Sequence, residues 1–388
     1  MHYIHRLIEK KILEASHAFS ALLVTGPRRA GKTTLLRKLF PKASYYLLED
    51  PDVIARVKSD PRSFLEEIKP PAILDEIQNT PELFNYLRTL IDKEPRRLGK
   101  WFLTGSQDAP LMKGVSESMA GRIAVFHLSG FSLEESKKVS MLRGGFPEVL
   151  ARPRASNIWF RSYIQTYLER DVRSISAIKD LALFRRFLSL IASRQGALLN
   201  KTDLAAPLGL SVPALTEWIN ILEITGAIIV VPPFYENFGK RLIKSPKIYF
   251  MDSGLSCYLL GIETENALRK SAFLGQVFEG FVASEIVKHQ ENSGRRRQIY
   301  YFRDQQGLEV DFVVPTGNAR LLIMEAKAVR SVRPSMGAPL LKLARAIRRY
   351  KVEKRVVYLN PPEGAGKGFY TLIPGVTAVP VAEISSIC

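Results

Sequence analysis

Residues 26–34 read Gly26-Pro27-Arg28-Arg29-Ala30-Gly31-Lys32-Thr33-Thr34. They follow a short apolar run at 20–25 and precede Leu35, Leu36, Leu39 and Phe40, spaced as one face of a helix. The order is strand, glycine loop, helix, and the pattern GxxxxGK[ST] is complete at Gly26, Gly31, Lys32 and Thr33. Each position has a physical reason. The two glycines let the backbone curl so that its N–H groups and the helix N-terminus face phosphate oxygens. Lys32 supplies a point charge to the terminal phosphates, and the Thr33 hydroxyl stands on the first helical turn, where it can ligand the Mg2+ that accompanies ATP. The whole loop, with Pro27, Arg28, Arg29, Ala30 and Thr34, is therefore expected to bind nucleotide.

Working outward, residues 71–76 form an apolar run ending in Asp75 and Glu76, about 40 residues after Lys32, an ordinary crossover distance. It looks like a Walker B strand, in which Asp75 holds magnesium through water and Glu76 orients or deprotonates the attacking water. A further strand is expected at 100–104. Behind it come Thr104, Gly105, Ser106 and Gln107, placing hydroxyl and amide groups at the carboxyl edge of the sheet, where open α/β sheets bind ligands. Arg122 precedes another strand at 123–128. It has two readings, stabilising the transferring phosphoryl group or pairing with a surface acid.

Composition sets the outer bounds. The chain has 388 residues, too many for one ordinary core, with a hydrophobic fraction of 46% and a charged fraction of 24%. This is the composition of a folded, soluble protein. The 56 Lys and Arg against 38 Asp and Glu leave a formal charge of +18, with basic groups recurring at 96–97, 137–138, 185–186, 295–297 and 345–351. A polyanionic partner, DNA before RNA, fits that balance. Cys257 and Cys388 form neither a disulfide framework nor a zinc pattern, so a cytoplasmic location is expected. Residues 1–16 read as an amphipathic helix, and no apolar run is long enough to anchor the chain in a membrane.

In the middle of the chain, Leu183, Phe184, Phe187, Leu188 and Ile191 share a helical stripe. A helix starting near Asn200, a turn at 208–211, a helix over 213–222 and an apolar strand at 227–231 then follow, the order of a winged helix-turn-helix. Its second helix carries almost no Lys or Arg, whereas base readout draws on such groups. DNA contact and packing on the ATPase domain or a partner both remain open for it.

The C-terminal part reads as a helix at 275–291, strands at 298–302, 308–314 and 320–327, a helix at 338–350 and a strand at 355–359. Period-two alternation puts Glu309 and Asp311 on one strand face, and Glu325 and Lys327 on one face of the next. The order resembles the core of PD-(D/E)xK nucleases. That resemblance implies that Asp311 and Glu325 bind magnesium, that Glu279 reaches it from the helix, and that Lys327 positions or activates the water attacking phosphate. A cleaving site and a retained ion pair in a fold that no longer cuts both remain open.

Taken in order, eight motifs resemble a family of AAA+-type P-loop ATPases of archaea and bacteria that carry a winged-helix segment and a C-terminal nuclease-like domain. They are the phosphate loop at 26–34, L-D-E-I-Q at 74–78, L-T-G-S-Q at 103–107, A-G-R-I at 120–123, G-G-F-P-E at 144–148, Y-L-E-R-D-V at 167–172, K-I-Y-F-M-D-S-G-L at 247–255 and E-V-D-F at 309–312. The resemblance runs nearly end to end. It implies an α/β fold in three parts: an ATPase domain with a small helical lid at 1–177, a winged helix-turn-helix at 178–236 and a restriction-endonuclease-like domain at 237–388. The expected function is a Mg2+-dependent ATPase coupled to nucleic-acid binding and metal-dependent DNA cleavage, or else an ATP-driven switch or partner-binding protein whose nuclease-like C-terminal domain does not cut. The oligomeric state is open, a homo-oligomer included.

Overall fold

A computed structural model of the chain describes residues 3–106, 115, 118–168, 180–234, 244–317, 319–359 and 368–387. Gln107, residues 169–172 of the sixth motif, and the expected boundaries at 177/178 and 236/237 lie outside the described residues. The chain divides into two compact units, one of Met1–Phe131 with Ile224–Gly226 and Glu291–Arg295, the other of the remainder.

The first unit is built on five parallel strands: β1 (Ala21–Thr25), β2 (Ser44–Leu47), β3 (Ala72–Asp75), β4 (Trp101–Thr104) and β5 (Ile123–His127). Their spatial order is β2-β3-β4-β1-β5. Parallel strands need crossovers, here made with α2 (Lys32–Leu39), α3 (Pro51–Ser59), α4 (Pro61–Glu67) and α5 (Leu83–Lys93), while α1 (Glu9–Ser16) precedes the sheet. Helices on both faces explain why β1 is buried at all five positions. Its alternate residues feed two cores: Leu22 and Val24 pack with Ile8, Ile12, Leu35, Leu36 and Phe102, and Ala21 and Leu23 with Leu74, Phe84, Leu87 and Leu103. Helices α3 and α4 begin as their sequences dictate, with Asp50 and Asp60 accepting from the backbone N–H of Asp52 and Ser63 and a proline at the first turn.

The helix expected at 1–16 starts only at Glu9. Its carboxylate accepts from the Arg6 backbone N–H (2.6 Å) and the Tyr3 hydroxyl (2.8 Å), which folds the preceding residues back across the helix start.

The second unit opens with α6 (Pro147–Ala151), α7 (Ser156–Tyr163), α8 (Leu181–Ser193), α9 (Lys201–Ala205) and α10 (Val212–Ile224), followed by β6 (Ile228–Val231) paired antiparallel with β7 (Lys247–Phe250). Asn200 caps α9 through the N–H groups of Thr202 and Asp203. One apolar cluster runs from Phe146 and Phe160 through Phe184, Phe187 and Trp218 to Ile248 and Phe250. Trp218 packs edge-on against Phe184 and Phe187, so the indole on the expected recognition helix is buried in that cluster.

Three helices follow, α11 (Ser253–Leu259), α12 (Glu265–Lys270) and the long α13 (Leu274–Asn292). A six-stranded sheet then forms in the order β12-β13-β11-β10-β9-β8. It comprises β8 (Tyr300–Arg303), β9 (Glu309–Gly317), β10 (Arg320–Lys327), β11 (Lys351–Tyr358), β12 (Tyr370–Ile373) and β13 (Val376–Pro380), with α14 (Ala338–Ala346) crossing between β10 and β11. The helix expected to reach residue 350 ends at Ala346, because Ile347 turns to extended backbone while its N–H still bonds Leu343. The chain so released lets β11 start at Lys351 and pair with β10 along its whole length. Strands β12 and β13 were not foreseen. The runs at 144–148 and 247–255 meet in one buried contact, where the Gly145 N–H donates to Asp252 (2.7 Å). Among the described residues no helix is long and apolar enough to cross a membrane.

Candidate functional site

Gly26 follows β1 with φ +138°, and a Cβ there would stand 2.2 Å from the Leu128 carbonyl oxygen. Glycine is required by both conformation and space. Gly31 caps α2 with φ +99° and is required by conformation alone. Between them Pro27 and Ala30 are buried, while Arg28 approaches Glu49 at 4.0 Å and Arg29 has φ +65°. Thr34 is exposed. The Lys32 ammonium is buried and donates to the loop's own carbonyls, Gly26 (3.0 Å) and Pro27 (3.1 Å). It is thus held at the loop that its charge serves.

Asp75 is the hub of the carboxyl edge. Thr33 Oγ1 donates to its two oxygens at 2.8 and 3.0 Å, the Tyr45 hydroxyl donates at 2.7 Å, and Thr104 Oγ1 donates closely as well. Strand order explains this set: β4 lies between β1 and β3, so Thr104 stands between the phosphate loop and Asp75, and β2 on the far side of β3 brings Tyr45. Burial and the bond to Asp75 push the Tyr45 phenol above its ordinary pKa, and the Arg37 guanidinium lies 5.0 Å from its ring centre. Glu76 follows with φ +62°, a conformation a non-glycine residue adopts only where its surroundings hold it. Its N–H donates to Thr104 Oγ1 (3.1 Å) and its carboxylate accepts from the Gln78 amide. Ser106 is buried behind β4.

A hydroxyl and a carboxylate in mutual contact at a phosphate loop are an oxygen donor set suited to magnesium. Thr33 and Asp75 fit that ion.

Arg122 is not brought to this place. The Ala21 N–H bonds the Arg122 carbonyl at the start of β1, about 16 Å of strand from Gly26. The Arg122 guanidinium instead makes a two-pronged pair with Asp92 (2.6 and 2.9 Å), beside Arg88 and Lys93 in a cleft of about 480 Å³. Of its two readings, the surface pair is the one adopted within this chain.

One residue missed in the sequence supports the loop from behind. Arg6, 6% exposed, donates to the Ala30 carbonyl (3.1 Å) and to the Ser129 carbonyl (2.8 Å), with its guanidinium 4.5 Å from the Phe131 ring centre. Nothing in a single arginine of an amphipathic start signals this, since its partners lie far along the chain.

In the second unit, the antiparallel pairing of β9 and β10 runs to Met324 opposite Phe312, which sets Glu325 beside Asp311. The Ala326 N–H donates to Asp311 Oδ2 (2.9 Å). Lys327 sits against Glu325 and 3.7 Å from Asp311. Glu279 on α13 is joined by a residue the sequence reading passed over: Lys247, the first residue of β7. Its ammonium lies 2.9 Å from Glu279, 2.7 Å from Glu309 and 4.0 Å from Asp311. The Tyr249 hydroxyl also donates to Glu279, and Arg303 pairs with Glu309 at 3.2 Å.

The expected magnesium ligands Asp311, Glu325 and Glu279 are therefore interleaved with lysines. Among the described residues no three His, Cys, Asp or Glu side chains gather in a way that could hold a metal ion. Four carboxylates share three cations, Lys247, Lys327 and Arg303, so the acids outnumber their counter-ions by one. Burial, then the nearby Asp311 charge, pushes Glu325 up to about 8 and Glu279 up to about 7. Burial pulls the Lys247 and Lys327 ammoniums down, but the surrounding carboxylates outweigh it and hold both above the ordinary lysine value. The cluster opens on a cleft of about 910 Å³ lined by Gln306, Ser335 and Lys342.

Three family models match the chain: an AAA domain over residues 18–137, Domain of unknown function (DUF8612) over 135–266 and Domain of unknown function (DUF4143) over 274–374. Relatives in Mycobacterium tuberculosis (Uncharacterized protein Rv2008c) and Mycobacterium bovis (Uncharacterized protein Mb2031c) are each 33% identical over 386 residues, covering 96% of this chain and 83% of theirs. Among solved structures, the Walker-type ATPase PABY2304 of Pyrococcus abyssi is 16% identical with a TM-score of 0.44, covering 65% of this chain and 94% of that one. The chain belongs to the family of these two mycobacterial proteins, and its N-terminal part is an AAA-type P-loop ATPase domain.

Proposed function

We propose that this protein hydrolyses ATP with Mg2+ at the Gly26–Thr34 loop and couples the cycle to binding nucleic acid, DNA in preference to RNA. The observation that carries the catalytic half is the contact of Thr33 and Thr104 with Asp75, beside a buried Lys32. In this reading the loop N–H groups and the α2 N-terminus bind the phosphates, and Lys32 leaves its two carbonyls for the terminal phosphate oxygens. Glu76 receives the proton of the attacking water, with Gln78 fixing its carboxylate, and Ser106 borders the phosphate position. Thr33 and Asp75 would hold magnesium when it is bound, and it would supply positive charge against the charge of the phosphates. Arg122 enters the chemistry only in a neighbouring copy, which makes a homo-oligomer part of the proposal.

The formal charge of +18 supports the nucleic-acid half. The α10 helix contributes little to that half, because its outward N-terminal residues Val212, Pro213 and Glu217 include no cation. The segment from α8 to β6 is in this reading a winged helix. The α13–β11 segment is a PD-(D/E)xK-like module, and Lys247 within its acid cluster favours the non-cleaving alternative over the cleaving one.

ATP turnover by the wild type, Lys32→Ala and Glu76→Gln tests the first half, with each variant expected to lose at least about a hundredfold in kcat. Turnover unaffected by Lys32→Ala would refute it. Binding to duplex DNA across a salt series tests the second, with affinity falling linearly in log salt. Linear, nicked and single-stranded DNA with Mg2+, with wild type and Asp311→Ala compared, separates a cutting domain from a binding one.

A further inference from the structure

We infer that Lys247 is the resident cation of the C-terminal acid cluster: its ammonium fills the space between Glu279, Glu309 and Asp311 that a divalent ion would need, and so shuts the wild-type cluster to Mg2+. This goes beyond ATP hydrolysis and nucleic-acid binding, and holds or fails independently of both.

The geometry excludes simultaneous occupancy. Lys247 is 2% exposed, with its ammonium in hydrogen-bonding range of Glu279 and Glu309 and 4.0 Å from Asp311 Oδ1. Magnesium needs oxygens at about 2.0–2.1 Å on nearly octahedral axes. An ion reaching Asp311 and Glu279 together would stand where the Lys247 ammonium stands, and one between Asp311 and Glu325 would meet the Lys327 ammonium, which sits against Glu325 and 3.7 Å from Asp311, so like charges in a buried site repel strongly either way. The second oxygen of Asp311 accepts from the Ala326 N–H and faces Lys327, and Glu279 also receives the Tyr249 hydroxyl. These partners leave the carboxylates turned toward lysines rather than toward one another.

Nor is Lys247 free to swing aside. It is the first residue of β7, paired with Val231 of β6, and the neighbouring Pro246 carbonyl accepts from the Leu199 N–H at 2.7 Å. The Tyr301 ring centre lies 5.5 Å from its ammonium. The backbone at the root of the side chain is held on two sides, and its tip is enclosed by an aromatic ring and three carboxylates. Metal-dependent cleavage at this cluster would first require Lys247 to leave. The same residue opens the K-I-Y-F-M-D-S-G-L run, whose charged first position no other part of the mechanism uses.

Titration of the nucleotide-free full chain with Mn2+, followed by the loss of the free-ion electron paramagnetic resonance signal, tests this in wild type, Lys247→Met, Lys247→Arg and each combined with Asp311→Asn. The wild type and Lys247→Arg are expected to show no Mn2+ binding that Asp311→Asn removes. Lys247→Met is expected to gain one such site, tighter than any in the wild type by on the order of tenfold or more. A wild type that binds Mn2+ in an Asp311-dependent way overturns the inference whatever the variants do, including a Lys247→Met that does not fold. A Lys247→Met chain with wild-type circular dichroism and ATP turnover but no added site overturns it too. DNA binding and ATP hydrolysis, measured on the same proteins, report separately on the proposed function.

Discussion

Replacing Arg6 with alanine should loosen the phosphate loop from behind without touching any group that meets nucleotide. The guanidinium joins the Ala30 carbonyl of the loop at 3.1 Å to the Ser129 carbonyl at 2.8 Å, and lies 4.5 Å from the centre of the Phe131 ring. A hydrogen bond from a charged donor contributes about 1.5–3 kcal/mol, and a desolvated cation over an aromatic face about 2 kcal/mol. The cost of burying the charge offsets part of that sum, so the expected loss of stability is about 3–5 kcal/mol. Urea unfolding followed by circular dichroism should show it as a shift of the first unit's transition, and hydrogen exchange should show faster opening at residues 26–34. Nucleotide affinity should fall by about tenfold or more, since about 1.4 kcal/mol of the binding energy goes to reordering the loop per tenfold. Arg6→Lys, which keeps the charge but not the fork, should fall between. An Arg6→Ala protein with an unchanged transition and an unchanged ADP Kd would refute the reasoning.

Two further outcomes follow from the same geometry. Tyr45→Phe removes one of the hydroxyls that donate to Asp75, so the Mg2+ concentration for half-maximal ATP turnover should drop by up to about tenfold while kcat stays within a few-fold; no change in that concentration would argue against competition between the phenol and the metal. Glu325 is pushed up to about 8, so between its unfolded value and about 8 the folded protein holds more protons than the unfolded chain, and this group lowers stability as pH rises through that window. Melting temperatures from pH 5 to 8 should therefore fall less steeply for Glu325→Gln than for the wild type, and parallel curves would refute the assignment.

How much of this was legible in the sequence depends on the distance over which each feature is encoded. The phosphate loop is nine contiguous residues whose glycine positions, lysine and hydroxyl act on their own immediate backbone, so motif and geometry coincide. The caps at Asp50, Asp60 and Asn200 are equally local. The end of α14 was misjudged because its apolar spacing continues past the point where pairing along β10 claims the chain. Strands β12, at the sheet edge, and β13, between β12 and β11, escaped because runs of four or five residues carry little periodic signal, and their identity comes from the partners they pair with.

What the sequence by itself determined is the chemistry on offer: a strand-loop-helix that binds phosphate, an acid pair at the end of a strand, and alternating acids and a lysine on two later strands. Only the tertiary structure decided who stands next to whom. Placing β4 between β1 and β3 carried Thr104 to Asp75, pairing β2 with the far side of β3 carried Tyr45 there, and the same sheet held Arg122 at the opposite edge against Asp92. Lys247 is the sharpest case. A lysine at the start of a strand is ordinarily a solvated cation, and it becomes a buried counter-ion here because Glu279, Glu309 and Asp311, from a helix and a strand later in the chain, converge on it. Charge in a folded protein takes its meaning from neighbours within a few ångströms, and those neighbours are set by packing rather than by order along the chain.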